Sequence, residues 1–213
     1  GIGVDVVSGG ELKHAMQCGI PAGRVVFSGV AKTKNEIREA LKAKVKQINV
    51  ESEAELRRIV AIAKELGVAA PVAFRLNPDV EASTHPYIRT GFRENKFGTD
   101  EMSILSWSSY IRDNLQYLNV MGLSLHIGSQ IRTLEPFKES IRKLKTAASR
   151  LEQELKLKLK TLDIGGGLGI DYHSSAPEQD FLMEYGKLIY DEFNGLPVEV
   201  LVEPGRILVA RFG

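Results

Sequence analysis

What most constrains the fold of this chain is a rhythm. Short runs rich in β-branched and apolar residues recur along it: GVDVVS at 3–8, RVVFSG at 24–29, QINVES at 47–52, PVAFRLNP at 71–78, NVMGLSLHIG at 119–128, TLDIGGG at 161–167 and VEVLVEPG at 198–205. Amphipathic helical stretches separate them. Strands alternating with helices must run parallel, because a crossover helix returns the chain to the same end of the sheet. Such a sheet is covered on both faces. The helices are well signalled. Thr33 with Glu36, and Ser52 with Glu55, have the spacing of a capping box, in which each partner satisfies a free amide at the helix start, and Gly67 supplies a stop. Beyond Pro136, the residues Phe137, Ile141, Leu144, Ala148, Leu151 and Leu155 alternate spacings of four and three, which sets them along one face. That face is expected to pack on the sheet.

Two α/β architectures fit, a doubly wound open sheet and a closed (β/α)8 TIM-type barrel, and periodicity does not separate them. The strand ends do better. Asp5 and Ser8, Ser28, Asn49 and Glu51, Arg75, His126, Gly165 to Gly167 and Glu203 each fall at or just past the end of a strand. A barrel gathers the C-terminal ends of all its strands around one mouth, so this pattern favours the barrel, as one domain over 1–213. Seven strands leave one to find, and it is expected upstream of Gly1.

With 43% hydrophobic residues the chain can bury a full core, and its net charge of +1 carries no sustained basic stripe, which argues against nucleic acid as the main partner. A small-molecule substrate is expected. No stretch approaches the roughly 18 apolar residues of a membrane span, and no signal-peptide pattern opens the sequence, so the expected compartment is the cytoplasm or an organelle interior such as the plastid stroma. The single cysteine, Cys18, is read as packing beside Leu12, Ala15 and Met16.

Several motifs carry chemistry. Leu162-Asp163-Ile164-Gly165-Gly166-Gly167-Leu168-Gly169 joins a strand to a turn whose backbone amides can approach an anion, either as a phosphate cradle or as a tight turn packed on the barrel rim. It matches neither the dinucleotide fingerprint nor the P-loop. Glu203-Pro204-Gly205-Arg206 brings a carboxylate, bare backbone and a guanidinium to one strand end. A buried acid facing a pyridine nitrogen keeps that nitrogen protonated, and Arg206 can clamp a phosphate or a substrate carboxylate. His126-Ile127-Gly128-Ser129-Gln130 places an imidazole able to stack on a planar ring, and a hydroxyl beyond it. His14 falls in a helix, and His85 and His173 in polar loops. Arg75-Leu76-Asn77-Pro78-Asp79, Thr84 to Gly91 and Glu94 to Gly98 form a long polar loop of the kind that often binds or covers a site. No Cys/His cluster has zinc spacing and no nucleophile elbow is present, so no metal is expected.

Taken in order from Gly3 to Ala210, these motifs resemble the fold-type III pyridoxal-phosphate decarboxylases of basic amino acids, with their alanine racemase-like barrel. GVDVVSGGEL, FSGVAKT, RLNPDV, THPYIRTG, NKFG, HIGSQI, LDIGGGLG and EPGR are most similar to the diaminopimelate decarboxylases within that family. The resemblance implies pyridoxal 5'-phosphate as cofactor, diaminopimelate as substrate, L-lysine and CO2 as products, and a homodimeric parent. It implies His126 stacked on the cofactor ring, Ser129, the Gly165 to Gly167 turn and Pro204 to Arg206 around the phosphate, and Glu203 at the ring nitrogen. Arg206 would reach phosphate or substrate, Arg75 the cofactor hydroxyl, and Asp5 the covalent linkage. The family's cofactor-bearing lysine belongs to a strand upstream of Gly3. Lys32 and Lys96 match other family lysines and are not expected to replace it. A C-terminal β-domain, which supplies a catalytic cysteine, is likewise expected beyond Gly213. On its own the chain is expected to be inactive. The alternatives are a non-catalytic cofactor-binding or regulatory homologue, and an arginine or ornithine decarboxylase.

Overall fold

Seven parallel strands stand side by side in the order in which the chain makes them, β1-β2-β3-β4-β5-β6-β7. The computed structural model describes residues 2–80, 97–173 and 179–210. Its elements are β1 (Val4–Val6), α1 (Gly9–Gln17), β2 (Val25–Phe27), α2 (Lys34–Ala43), β3 (Gln47–Val50), α3 (Glu53–Leu66), β4 (Ala70–Arg75), α4 (Glu101–Ser106), α5 (Ser108–Asp113), β5 (Leu118–Ser124), α6 (Glu135–Leu155), β6 (Thr161–Asp163), α7 (Gln179–Phe193), β7 (Glu199–Leu201) and α8 (Arg206–Val209).

Two side-chain contacts decide between the open sheet and the barrel. Thr161 Oγ1 at the start of β6 donates to Gln47 Oε1 at the start of β3, at 2.6 Å, and Lys46 Nζ lies 2.7 Å from Glu199 of β7. Strands three places apart in a flat sheet are separated by about 14 Å, which a Thr-Gln pair does not span. The sheet has therefore curled into a cylinder, with the β3 and β6 side chains meeting inside it. β1 and β7 each pair on one side only among the described residues, and hydrophobic side chains flanking them stay in solvent: Ile2 is 86% exposed and Val202 44%, against none above 9% in β3.

The helices begin and end for local reasons. Thr33 accepts from the Glu36 amide while the Glu36 carboxylate accepts from the Thr33 amide at 2.9 Å, so this capping box is complete. The second is half a box. Ser52 accepts from the Glu55 amide, but the Glu55 carboxylate has turned to the Glu51 amide and to Lys32. α3 stops at Gly67, whose φ of +66° is the left-handed geometry that ends helices at little steric cost to glycine. On α6 the six apolar residues read from spacing are all buried, and Phe137 meets the edge of Tyr185 from α7 with ring centroids 5.0 Å apart. Cys18 departs from expectation. It caps the C-terminus of α1, off the stripe that buries Leu12, and its exposed Sγ lies 3.8 Å from His14 Nε2. Among the described residues no helix is long and apolar enough to cross a membrane.

Candidate active site at the barrel mouth

Polar residues inside the barrel form one continuous chain of hydrogen bonds. Ser28 Oγ donates to Asp5 Oδ1 at 2.6 Å, Asn49 Nδ2 donates to Ser28 Oγ at 3.0 Å, and Gln47 Nε2 donates to Asn49 Oδ1 at 2.8 Å, after which Thr161 closes on Gln47. Gln47, Asn49, Thr161 and Asp163 are all buried, and each polar contact spares a desolvated group the penalty of standing alone. The strand period of two sets 47 with 49 and 161 with 163 on the inner face. That parity was the signal by which Gln47, Thr161 and Asp163 could have been assigned to the site. Ser8, by contrast, is a helix cap, its hydroxyl accepting from the Glu11 amide.

Three acids converge at the mouth. Glu203 follows β7, where its amide donates to Gly165 O at 2.8 Å, and its Oε1 is buried with no hydrogen-bond partner among the described residues. Burial, then the charges of Asp163 and Asp5, push its carboxyl up to about 10, against which Arg75 works only in part. Asp163, wholly buried at the end of β6, accepts from the Gly165 amide at 2.9 Å and is also raised, chiefly by burial. Asp5 is exposed at the open edge, yet the crowding of protein around the mouth raises it from 3.8 to about 6, with Ser28 opposing. A raised carboxyl pKa makes a contribution to stability that is full below the unfolded value and lost as pH climbs through the folded one. Asp5→Asn is therefore expected to remove a decline in stability between pH 3.8 and about 6, and urea unfolding across that window, variant against wild type, checks it. Parallel curves would place Asp5 outside the cluster.

His126 stands at the mouth two residues past β5, its Nδ1 accepting from the Gly166 amide at 3.4 Å, which leaves the ring proton of the neutral form on Nε2. The surrounding protein, then the Arg75 guanidinium, lower its pKa. The glycines beside it are demanded by backbone packing. A Cβ on Gly165, Gly166 or Gly167 would come within 2.3 Å of Leu125 O, 2.2 Å of Glu203 O and 2.4 Å of Gly128 O respectively. This turn therefore packs between the end of β5 and the end of β7, with His126 on one side of it and Glu203 on the other. The amides of Gly165 and Gly166 are engaged by Asp163 and His126, so much of the work of holding an anion falls elsewhere.

It falls on Arg206. Pro204 and Gly205 turn the chain from Glu203 into α8, where Arg206 Nη2 donates to Ser129 Oγ at 3.1 Å and Nη1 to the Tyr172 hydroxyl at 2.6 Å. Ser129 and Arg206, 77 residues apart, are brought together, and Tyr172, which the sequence did not single out, joins them. Arg75 pairs with Glu51 at 2.6 Å and lies 5.5 Å from the centroid of the Phe97 ring. Lys32 is buried, donating to Gly29 O and Asn49 O and pairing with Glu55 at 3.2 Å. Thr84 to Gly91, Glu94, Asn95 and Lys96 lie outside the described residues.

The mouth thus holds an acid whose pKa is raised and whose Oε1 is orphaned, together with a guanidinium that has hydroxyls beside it. An aromatic ring nitrogen suits the first and a phosphate the second. Comparison with known proteins agrees. Residues 1–210 match the family model described as "Pyridoxal-dependent decarboxylase, pyridoxal binding domain". The chain is 42% identical over 214 residues to a diaminopimelate decarboxylase of Campylobacter jejuni, covering 99% of this chain and 52% of that protein. The crystal structure of Helicobacter pylori diaminopimelate decarboxylase complexed with L-lysine superimposes with a TM-score of 0.87 at 39% identity, over 98% of this chain and 52% of that one. The Paramecium bursaria Chlorella virus arginine decarboxylase superimposes less well, with a TM-score of 0.75 at 27% identity, over 96% and 52%. The chain spans about half the length of the curated relatives it matches. On both the site and these matches, the chain belongs to the pyridoxal-dependent decarboxylase family and corresponds to its pyridoxal-binding domain.

Proposed function

We propose that the protein carrying this chain removes one carboxyl group from meso-2,6-diaminopimelate, giving L-lysine and CO2 with pyridoxal 5'-phosphate as cofactor, and that it acts as a homodimer. The observation that carries this reading is Glu203, a half-buried acid whose Oε1 is buried and orphaned, at the same mouth as an Arg206-Ser129 pair, in a chain 39–43% identical to diaminopimelate decarboxylases. The cofactor, when bound, supplies an electron sink for the pair left behind as the carboxylate departs. The chain's own residues do the rest. Glu203 would hold a proton against the ring nitrogen and exchange the burial of an orphaned oxygen for a charge partner. Arg206, Ser129 and the glycine turn would anchor the phosphate, His126 would support one face of the ring, and Arg75 would sit by the ring hydroxyl. Asp5, whose pKa lies at about 6, is suited to pairing with an amine close by. The lysine that holds the cofactor is proposed to come from a strand beside β1, since the donors of Lys32 are committed to Gly29, Asn49 and Glu55.

Incubating the full-length protein and pyridoxal phosphate with meso-diaminopimelate, L-arginine or L-ornithine, and measuring CO2, tests the proposal. CO2 and L-lysine are expected from diaminopimelate alone. Turnover of arginine or ornithine instead would reassign the substrate, and cofactor binding without turnover of any would make the protein a non-catalytic homologue.

A further inference from the structure

The segments that follow β2, β3 and β4 are joined by a network of charges that runs from Lys32 through Glu55 and Glu51 to Arg75. Lys32 and Glu55, with side chains 0% and 4% exposed, lie 3.2 Å apart. The other oxygen of Glu55 accepts from the Glu51 amide at 2.8 Å, where the capping pattern would have sent it to Ser52. Glu51, its side chain 5% exposed, turns its own Oε1 to Arg75 at 2.6 Å. Thr99 ties the same two residues from the far side, its hydroxyl donating to Glu51 O at 3.1 Å and its amide to Arg75 O at 2.8 Å. Lys32 also fastens to Asn49 O in β3, two residues before Glu51. Burying a lysine and a glutamate so completely gives up much hydration free energy, and such pairs are weak contributors to stability as such. What this pair does secure is the placement of Glu51.

We propose that Lys32 and Glu55 are positioning residues that act through Glu51 to hold the Arg75 guanidinium at the mouth, facing His126 and the acids Asp5, Asp163 and Glu203. The cofactor enters only in that Arg75 would meet its ring hydroxyl, and this part rests on the function proposed above. The rest stands on the geometry of the chain.

His126 reports on Arg75 without any cofactor, because the guanidinium is one of the two influences lowering its pKa. The other groups at the mouth, Asp5 of β1, Asp163 of β6 and Glu203 after β7, are left in place by the variants. Lys32→Met/Glu55→Gln removes both charges while the new amide can still accept from Glu51, and Glu51→Gln removes the charge that holds Arg75. His126 is followed by NMR pH titration in each, with Arg75→Met as the reference for full loss and circular dichroism confirming the fold. Both variants are expected to raise the His126 midpoint by about 0.5 pH unit, in the direction of Arg75→Met, and Lys32→Arg to restore the wild-type midpoint. Pyridoxal phosphate binding, by equilibrium dialysis, is expected to weaken about fivefold in both. An unchanged midpoint in the folded double variant overturns the proposal, including when Glu51→Gln alone moves it, for Arg75 would then be held without Lys32 and Glu55. Should the double variant not fold, Glu55→Gln alone is read in the same way. A wild-type protein that binds no pyridoxal phosphate would defeat the proposed function, while the His126 titration would still decide the positioning role.

Discussion

Replacing Glu203 by glutamine is expected to lower turnover of the cofactor-loaded protein about 10³-fold, the scale on which removal of a preorganised electrostatic partner acts, while leaving it folded. Glutamine keeps the shape of the side chain and loses its ability to carry a charge or give up a proton. Its stability should move the other way. The wild-type carboxyl has a folded pKa of about 10 against an ordinary 4.5, so its contribution to stability is full below 4.5 and is lost as pH rises through about 10. The variant has no such decline, and its advantage should widen steadily as pH rises from 4.5 towards neutrality. A decarboxylation assay beside urea unfolding measures both. Full turnover in the variant would remove Glu203 from the ring nitrogen, whatever its stability.

Gly165→Ala should have the largest effect on the fold itself. Its φ is +65°, and an added Cβ would stand 2.3 Å from Leu125 O and 3.2 Å from the His126 Cα. These obstacles are backbone and cannot rotate aside. A destabilisation of about 3 kcal/mol is expected, a fall of roughly 6–12 °C in Tm for a chain of this size. Cofactor affinity should fall with it, since the displaced residue is His126. Gly186→Ala is the control, in the middle of α7 with nothing within 4 Å of the new methyl, and it should gain up to about 1 kcal/mol. Equal Tm values for the two variants would contradict the packing argument for the turn.

The sequence was informative where a local rule coincided with the tertiary arrangement. The parallel strands, the Thr33 box, the Gly67 stop and the buried face of α6 follow from spacing alone. So does the gathering of His126, Glu203, Arg75, Ser129 and Arg206 at one end of the barrel, because parallel strands bring their C-terminal ends together. The rest depends on partners distant in sequence. Nothing near Glu55 says that its carboxylate leaves Ser52 for a lysine 23 positions upstream, and Cys18 lies three residues beyond the half-buried Ala15 yet sits just past the last turn. The glycine turn allowed both an anion cradle and a packed rim. The closeness of Leu125, Glu203 and Gly128 oxygens shows that packing alone requires glycine there. Tyr172 could not be read at all, since its meeting with Arg206 spans 34 residues of chain.

The consecutive strand order also bears on how such a barrel forms. Every strand finds its partner one βα unit away, so the entropy of closing the chain is met in short steps rather than as one long loop. Thr161 and Gln47 are 114 residues apart, and Lys46 and Glu199 153, yet the ladder of neighbouring strands between them brings both pairs within reach. A curled wall built from sequence neighbours thus carries its long-range contacts across its own interior, and the polar thread from Asp5 to Thr161 marks that curvature.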